Sequence, residues 1–498
     1  MGLALPVKIM TDADEEFGRI RIYTDEEVIT SANVLQVLQN AMVIHNLNQS
    51  RINYLWEYYR GNQPILKRVK EVREEINNQV VVNIASEIVD FKTGYLLGEP
   101  MQYVSDVDET EEELSKQINQ LNDWMKAEAK ETSDSDLCRW FHICGLGYRM
   151  ALPSPERDPE SPFHVYDLDP RFTFIIYWSG LGHKPVLGVQ VRILDDGTEL
   201  FSCYTENTLI EVRDGKVVSE TPHMIGEIPI VEYPLNIARQ GAFERVMSLC
   251  DAYNNAESNA LDGLEQFVQS FFKFINCDID DTKFEQFRKK GMIKIKSLDG
   301  TNADVDLITS ELNQTQTQVL KDNIYQQILN ICGMPNRNGG SSTSDTGAAV
   351  TMRDGWSSAE TMAKDTETIF KRSERQFIRV VLNICRKVAG ITLLPSQVEQ
   401  TFTRRNYSDL QSKSQVLTTM LDNPKIHPLL AFQSCGMFID PEAAYARSME
   451  YYEEQMEKLK EQQIMNVEDE EDEGSTAPDK GVESGRQATG EDQENNNS

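Results

Sequence analysis

The sequence lacks any hydrophobic run long enough to cross a membrane. Its longest apolar stretches, such as Phe172–Trp178 apart from Thr173, have the length of a strand, whereas a membrane helix needs about 18 residues. The first residues, Met1–Met10, contain no basic segment, and Pro6 and Lys8 interrupt their apolar run, so no secretory signal is expected. We therefore expect a protein that is made in the cytosol and does not bind a membrane.

The cysteines and histidines of this chain do not occur at the spacings that are typical of metal sites. The eight cysteines form no C-x-x-C pair, and the six histidines form no H-x-x-x-H pair. A zinc site and a disulfide framework are therefore not expected, and buried free thiols in a reducing compartment explain the cysteines better. No metal ligand and no cofactor site is predicted.

Catalytic motifs are missing as well. Gly340–Gly347 resembles a phosphate-binding loop only superficially, because no Lys-Ser/Thr pair follows it and no strand precedes it. Gly145–Gly147 lacks the third glycine of a dinucleotide fingerprint, and there is no G-x-S-x-G elbow. Asp278, Asp280 and Asp281 could hold magnesium, as a nuclease would require, but the capped start of a short helix explains them better. No catalytic residue is predicted.

Basic residues are fewer than acidic ones, 49 against 80, and the formal net charge is −31. Part of this charge lies in the tail Glu468–Ser498, which carries eleven acidic and two basic residues. A protein this acidic repels nucleic acid at long range. The charge is compatible with simple solubility and with a surface that DNA passes without sticking, and it does not distinguish between them.

The chain is rich in helical patterns, and its hydrophobic fraction of 40% is ample for a sizeable core. Apolar residues at helical spacing predict three early helices, over 31–60, 83–97 and 108–130. From His142 to Leu235 the pattern changes to short strands bounded by hairpin turns at Asp195–Gly197 and Asp214–Gly215. These patterns predict a mixed α+β domain over 31–236.

Two long helical segments flank a small α/β insertion. Gly241–Ile275 has apolar residues at steps of three and four and no proline, which predicts a helix of about 50 Å. Glu311–Cys332 predicts a second helix, and Cys277–Thr309 between them contains strand-like runs at Met292–Lys296 and Val305–Ile308 and a short helix. The two long helices should form an antiparallel hairpin. Because a lone hairpin buries too little surface to be stable, we expect it to pack against copies of itself.

A polar loop, Asn336–Gly355, follows this hairpin. Loops of this length inside a compact protein are uncommon and are usually functional or disordered. A long helix, Trp356–Val388, comes next, followed by a strand-like run and further helices predicted at 400–404, 408–421, 428–435 and 441–463. From Val467 onward the acidic, Gly/Ser/Gln/Asn-rich composition predicts disorder.

The segment Asn83–Asp90 (NIASEIVD), continued by Gly94–Pro100 (GYLLGEP), resembles part of the portal proteins of tailed bacteriophages. The resemblance is to the branch typical of long-tailed phages and prophages of Gram-positive hosts. The order of elements matches that family too, in which a wing domain leads into a stem helix, an α/β clip, a second stem helix, a tunnel loop, a long helix and a helical crown. The resemblance spans residues 30–463 and implies a largely helical α+β portal fold, assembled as a ring.

The resemblance divides the chain into segments with distinct roles. They are an N-terminal arm (1–30), the wing (31–240), stem helix 1 (241–276), the clip (277–310), stem helix 2 (311–335), the tunnel loop (336–355), the long helix with a return to the wing (356–407), the crown (408–466) and a disordered acidic tail (467–498).

The function implied by the resemblance is that of a conduit without enzymatic activity or cofactor. A ring of about twelve subunits at one capsid vertex forms a channel for DNA entry during packaging and DNA exit during ejection. The implied partners are further copies of the chain, double-stranded DNA bound without sequence specificity, terminase, head-completion or connector and tail proteins, and the major capsid and scaffold proteins. The protein would be assembled in the host bacterial cytoplasm and reside in the virion.

Candidate site residues follow from these assignments. For the DNA-channel loop they are Arg337, Ser341, Ser342, Thr343, Ser344, Asp345, Thr346 and Arg353. For clip docking to the motor or connector they are Phe284, Phe287, Arg288, Lys289, Lys290, Lys294 and Lys296. For stem packing they are Phe243, Val246, Tyr253, Leu264, Phe267, Phe271, Leu320, Ile324 and Ile328. The loop has few bases and many hydroxyls, which suits weak phosphate contacts of low friction.

Two other interpretations remain open. The first is a different oligomeric virion scaffold protein without a DNA channel, which would explain the long helices and the acidic surface but not the polar loop. The second is a metal-dependent nuclease that uses the Asp278 cluster. The basic residues of the clip and of the long helix (Lys364, Lys371, Arg372, Arg375 and Arg379) are also compatible with ordinary surface salt bridges.

Overall fold

The fold is seen in a computed structural model that describes residues 17–71, 74–105, 112–154, 160–268, 271–275, 282, 304–308, 314–336, 355–402, 410–438 and 441–472. The chain forms two compact units, Met1–Ser408 and Asp409–Ser498. The helices of the first unit are α1 (Val34–Tyr59), α2 (Ile84–Leu96), α3 (Glu112–Ala127), α4 (Lys130–Cys144), α5 (Met247–Val268), α6 (Gln314–Cys332) and α7 (Trp356–Val388). The architecture is α+β, in agreement with the predicted fold class.

The described residues of the first unit form four sheets. Its strands are β1 (Ile22–Thr24), β2 (Gln102–Ser105), β3 (Leu146–Pro153), β4 (Phe163–Leu168), β5 (Thr173–Trp178), β6 (Pro185–Ile193), β7 (Glu199–Tyr204), β8 (Thr208–Arg213), β9 (Lys216–Pro222), β10 (Ile230–Pro234), β11 (Phe271–Ile275), β12 (Asp304–Ile308) and β13 (Val398–Thr401). The six-stranded sheet has the order β1-β5-β6-β7-β8-β9, with β1 parallel to β5. The smaller sheets are β10-β3-β4, β11-β12 and β13-β2.

Two hydrophobic cores hold this unit together. The smaller core lies between the first half of α1 and the six-stranded sheet, where Val34, Leu38 and Ile176 are fully buried. The larger core joins α2, α4, β3, β10 and the second half of α7, and it includes Ile88 and Phe377. Burying side chains of this size contributes about 1.5–3 kcal/mol each. The second half of α7 is thus part of the larger core. We use the name wing below only as a label for the part of the first unit built around these two cores.

Most predicted elements are confirmed, but several boundaries and one helix were wrong. The helix predicted for Gly241–Ile275 ends at Val268, and Phe271–Ile275 is the strand β11, paired with β12. Its run of aromatic and β-branched residues fits a pleated strand better than a helix. Phe271 is therefore not a stem-helix residue. The helix α4 was missed because its polar first half, Lys130–Asp136, masks the helical period.

The second unit is helical. Its elements are α8 (Leu410–Leu421), α9 (Pro428–Cys435) and α10 (Pro441–Asp472). Proline begins α9, and the His427 side chain accepts a hydrogen bond from the Leu429 amide, which caps the helix. Phe432 and Tyr445 pack ring to ring, 5.8 Å apart. The prediction of disorder from Val467 was wrong for its first residues, because α10 continues through Asp472.

Within the described ranges, every helix is too short or too polar to span a lipid bilayer. The short helix predicted at 281–289 and the strand-like run 292–296 lie outside the described residues, apart from Thr282.

Candidate functional site

The polar loop leaves and rejoins the described structure at one place. Gly333 ends α6 with φ +62°, and Gly355 precedes α7 with φ +83°, a conformation that glycine adopts without strain. A Cβ atom added to Gly355 would lie 3.7 Å from the Met334 carbonyl oxygen and from the Pro335 Cα. The described residues on either side of segment 337–354 therefore lie next to each other, and we call this place the loop root.

An aromatic cluster fixes the loop root against α2. The ring of Trp356, the first residue of α7, lies 6.2 Å from Phe91 and 6.0 Å from Tyr95. Phe91 and Tyr95 stack on each other at 5.6 Å. The Tyr95 hydroxyl donates a hydrogen bond to Glu360 Oε2 at 2.9 Å. Rigid aromatic contacts of this kind hold the start of α7 in one orientation.

Helices α5 and α6 form the predicted antiparallel hairpin. Tyr253 packs on Tyr325 at 6.1 Å, and one turn further along α5 Glu257 pairs with Lys321 at 3.0 Å, one turn back along α6. The Tyr325 hydroxyl also donates to Glu87 Oε1 of α2 at 3.0 Å. We call this hairpin the stem. The Tyr325–Glu87 hydrogen bond attaches its inner half, formed by the first part of α5 and the last part of α6, to α2.

The outer half of the stem presents apolar side chains to solvent in the single chain. Leu261 and Leu264 of α5 are 42% and 49% exposed, and Val319 and Leu320 of α6 are 63% and 53% exposed. Each of these side chains thus keeps a large part of its surface in contact with solvent. An apolar surface of this kind usually marks a contact with another molecule.

A segment without regular secondary structure is bound along the buried polar face of α5. Asn254, Ser258 and Asp262, spaced four residues apart, accept hydrogen bonds from the amides of Val82, Val80 and Asn78 at 2.8, 3.0 and 2.8 Å. The three helix side chains are almost fully buried. The helix therefore satisfies every second amide of segment 78–82, which we call the strap.

Ion pairs reinforce the end of the strap. Asp262 accepts from Lys70 and lies 3.1 Å from Arg68, and the Asn78 side chain donates to it at 2.9 Å. Burial disfavours the charged form of Asp262, but the hydrogen bonds from Lys70 and Asn78 outweigh burial and lower its pKa below the usual 3.8. The Asp262 carboxylate is therefore charged at neutral pH and holds the strap to the stem.

The base of the stem is joined to the N-terminal arm by a buried carboxylate. Glu244 pairs with Arg19, and both side chains are buried. Glu244 also accepts hydrogen bonds from the amides of Gly18 at 2.9 Å and Gly241 at 2.6 Å. A buried charge needs this degree of compensation to be tolerated. The arm residue Arg19 thus stabilises the start of the stem.

A second buried carboxylate joins the long helix α7 to the wing. Glu374 accepts hydrogen bonds from the hydroxyls of Tyr103 at 2.5 Å and Tyr233 at 2.6 Å, and it lies 3.1 Å from Lys130 and 3.7 Å from Arg149. Burial alone would raise its pKa, but the two cations and the two hydroxyls lower the pKa below the usual 4.5. Glu374 is therefore a charged anchor at the centre of the wing core.

The predicted stem residues fall into three groups. Phe243, Val246 and Ile328 are buried, and Tyr253 and Ile324 are half-buried against the larger core. Leu264 and Leu320 are exposed. Phe267 lies in α5 and Phe271 lies in β11. The predicted tunnel-loop residues, at 337, 341–346 and 353, and the predicted clip residues, at 284, 287–290, 294 and 296, lie outside the described residues.

The basic residues of α7 take part in ion pairs on the wing surface. Lys371 pairs with Glu399 at 2.9 Å and with Glu367 at 3.2 Å. Arg379 lies 3.7 Å from Glu227. The salt-bridge interpretation of these two residues is confirmed.

Sequence reasoning missed the polar stripe of α5 and the Glu374 anchor. The stripe had a visible signal, because Asn254, Ser258 and Asp262 recur at helical spacing among apolar residues. Glu374 had no such signal, because its partners Tyr103 and Tyr233 come from distant parts of the chain. Only the fold brings them together.

No cluster of three or more metal-ligating side chains occurs among the described residues. The Asp278 cluster of the nuclease hypothesis lies outside them. Seven cysteines, at positions 138, 144, 203, 250, 332, 385 and 435, are buried and free.

Comparison with known families gives one extensive match. Residues 41–469 match the family described as "Phage portal protein, SPP1 Gp6-like". This range includes most of α1, all of α2 to α9, the strap, the loop root and most of α10. No curated protein sequence is significantly similar to the chain.

Among solved structures, the chain is distantly similar to proteins of gene transfer agent particles. One comes from the "Virion of native gene transfer agent (GTA) particle", with 11% identity, a TM-score of 0.44, and coverage of 71% of this chain and 89% of that chain. Another comes from the "Neck of empty GTA particle computed with C6 symmetry", with 11% identity, a TM-score of 0.43, and coverage of 71% and 90%.

Proposed function

Because the chain belongs to the SPP1 Gp6-like family of phage portal proteins, we propose that it forms a ring of about twelve subunits at one vertex of a phage capsid. A portal protein is a structural component of the virion. In this proposal the ring encloses the channel through which double-stranded DNA enters during packaging and leaves during ejection. The protein positions and guides DNA, and it catalyses no reaction.

The observation that carries the proposal is the family match over residues 41–469. It runs through the wing, the stem, the loop root and the helices of the second unit, so it covers the whole order of elements that a portal subunit needs. The nuclease alternative uses only a local acidic cluster and gives no reason for this order.

The loop root supports a channel role for the polar loop. Gly355 lies next to Met334 and Pro335, and the aromatic cluster around Trp356 fixes the start of α7 against α2. Segment 337–354 therefore starts and ends on a rigid base. The Ser and Thr hydroxyls at 341–344 and 346 can make weak contacts with phosphates of any sequence. Arg337 and Arg353 add few phosphate neutralisations, and each of these would increase friction through counterion release.

The exposed stem surface supports ring formation. Leu261 and Leu264 of α5 and Leu320 of α6 are apolar and about half exposed in the single chain. In a ring, each stem packs between two neighbours, and these side chains then lie in the contacts between subunits. The strap and Glu244 keep each stem fixed to its own wing while neighbours press against it.

The remaining partners are assigned by position. The clip, 277–310, docks terminase during packaging and the connector and tail proteins afterwards, through Phe284, Phe287 and its basic residues. The wing and crown face the major capsid and scaffold proteins. Assembly takes place in the host bacterial cytoplasm, and the finished ring resides in the virion.

Electron microscopy of the purified full-length protein tests the proposal. Class averages along the particle axis should show a ring of about twelve subunits with an open central hole. A stable oligomer without a hole would overturn it and favour the alternative of a scaffold protein without a channel. If only monomers are seen, the same imaging after co-expression with scaffold and capsid proteins must reveal rings at one capsid vertex, and their absence there would also contradict the proposal.

A further inference from the structure

A partly open cavity of about 170 Å³ lies beside the loop root. Its described walls come from α2, the C-terminal turn of α6, the first three turns of α7 and the segment before α5. Lys92 and Arg245 line it together with Asp365, His142, Cys332 and Met362. The cavity is thus bounded by the two helices between which the polar loop is inserted.

The two cations in this cavity are not neutralised. The Lys92 ammonium is half-buried, and its one hydrogen-bond contact among the described residues is the Met362 sulfur at 3.9 Å, a weak acceptor. Arg245, which is exposed, forms no ion pair with any described carboxylate. Asp365 lines the same cavity but pairs with neither cation. Lys92 differs in this from most half-buried or buried cations among the described residues of the first unit, such as Lys130 and Arg149, which have carboxylate partners.

The titration behaviour of the cavity agrees with this geometry. Burial lowers the pKa of Lys92, and the nearby Arg245 lowers it further against an opposing effect of Cys332. Burial, followed by the charge of Lys92, lowers the pKa of His142 well below its usual value, so His142 is neutral. Burial raises the pKa of the Cys332 thiol to about 11, so it carries no charge either. The cavity has an excess of positive charge on a chain that is otherwise strongly acidic.

We propose that this cavity is a binding site for a single phosphate-type oxyanion, held between Lys92 and Arg245. A cavity of about 170 Å³ has room for an anion of that size together with waters. The anion would accept charge-assisted hydrogen bonds from both cations. It would also link α2, α6 and α7 at the loop root. Two sources share this chemistry, namely free inorganic phosphate and a phosphate group of DNA.

Calorimetric titration of the full-length protein with inorganic phosphate, at constant ionic strength in chloride, tests the site. Saturable binding to the wild type is expected, and Lys92→Met should weaken it about tenfold or more, because one charge-assisted hydrogen bond is lost. Arg245→Met should have an effect of the same order. Lys216→Met is the matched control, because Lys216 is exposed on β9 and far from the cavity in sequence, and it should bind phosphate like the wild type.

Thermal unfolding separates loss of the site from loss of the fold. Without phosphate, Lys92→Met should be as stable as the wild type or more stable, since an uncompensated cation is removed. With phosphate, the melting temperature of the wild type should rise while that of Lys92→Met stays constant. Absence of saturable phosphate binding, or equal binding by the wild type and Lys92→Met, would overturn the proposal.

A short DNA duplex identifies the source of the anion. If the site binds a phosphate group of DNA, Lys92→Met should weaken duplex binding and inorganic phosphate should compete with the duplex. If it binds free phosphate, the duplex should leave phosphate binding unchanged. Both results support the site, which exists in the single chain whether or not a ring forms.

Discussion

Glu374 shows how one residue can connect two parts of a fold. It is fully buried, yet it receives two tyrosine hydroxyls and faces two cations that come from β2, β10, α4 and β3. The same cations contact Asp134, with Lys130 at 2.6 Å and Arg149 at 2.7 Å. Arg149 also lies 3.3 Å from Asp167, so three carboxylates face the two cations. Removing one member leaves the others buried without compensation.

Glu374→Gln should therefore lower the free energy of unfolding at pH 7 by about 3–5 kcal/mol. The folded-state pKa of Glu374 lies below its usual 4.5, so its contribution is present above pH 4.5 and is lost as the pH falls through the folded-state pKa. The difference between the wild type and Glu374→Gln should thus shrink in acid. Chemical denaturation across this pH range measures it.

The control for this prediction is Glu265→Gln, because Glu265 is exposed on α5. Its stability should stay within about 0.5 kcal/mol of the wild type. Equal stability of Glu374→Gln and Glu265→Gln at pH 7 would contradict the role of Glu374 as an anchor.

At the scale of elements, the local spacing of apolar residues was enough to predict most of the helices. The bounds of α7 (Trp356–Val388) and α9 (Pro428–Cys435) agree with the predicted ones. Gly355 precedes α7, which has a strong apolar period, and α9 begins at a proline after the His427 cap. The end of α5 was mispredicted because Phe271–Ile275 is apolar in either period, and only its pairing with β12 makes it a strand. Pairing partners distant in sequence leave no local signal.

Much less of the candidate site could be predicted. The stem helices and the polar loop were visible as composition, but the strap was not, because segment 78–82 has no regular structure and its partners lie almost two hundred residues later in the sequence. The anchoring of Arg19 to Glu244 was invisible for the same reason. Contacts of this kind depend on tertiary geometry, which residue spacing does not encode.

Every second amide of the strap donates a hydrogen bond to α5. Proline substitutions at successive strap residues should therefore alternate between a larger and a smaller loss of stability. Val80→Pro removes the amide that donates to Ser258 Oγ at 3.0 Å and leaves a buried acceptor without its partner. It should lower the free energy of unfolding by about 1–3 kcal/mol. Val81→Pro should cost less, because the Val81 amide makes no hydrogen bond to the stem. Thermal unfolding of both variants measures the difference, and equal losses would contradict the alternating arrangement.

At the scale of the whole molecule, the proposed ring depends on surfaces that contribute little to the single chain. Leu320→Glu changes a side chain that is 53% exposed, so the stability of the single chain should change by about 0.5 kcal/mol or less. In the ring, however, the charge would be buried between neighbouring stems, which is costly. Ring assembly, followed by electron microscopy and sedimentation, should therefore be lost.

Asn323→Glu, at a neighbouring exposed position of α6, is the control for added negative charge. It should assemble better than Leu320→Glu, since no apolar contact is lost. Normal rings of Leu320→Glu would show that the outer stem is not an interface between subunits.

If the polar loop lines a DNA channel, substitutions in it should impair DNA packaging without impairing ring assembly. Replacing Ser341, Ser342 and Thr343 together by lysine adds phosphate contacts and should increase friction on DNA. Packaging of DNA into capsids should decrease several-fold, while ring assembly stays normal, because the loop root is unchanged. Alanine at the same three positions is the control and should package close to normally. Normal packaging by the lysine variant would count against the channel role of this loop.

The strap and the helix that binds it have repeats of slightly different length. Four residues of a helix advance about 6.0 Å, while two residues of an extended chain advance about 6.6 Å. The two repeats coincide at Asp262, Ser258 and Asn254, but the offset of about 0.6 Å per step accumulates. After a few steps, amide and acceptor drift out of hydrogen-bond range. A strap of this type therefore limits its own length, so a longer stem would not acquire a longer attachment to the wing.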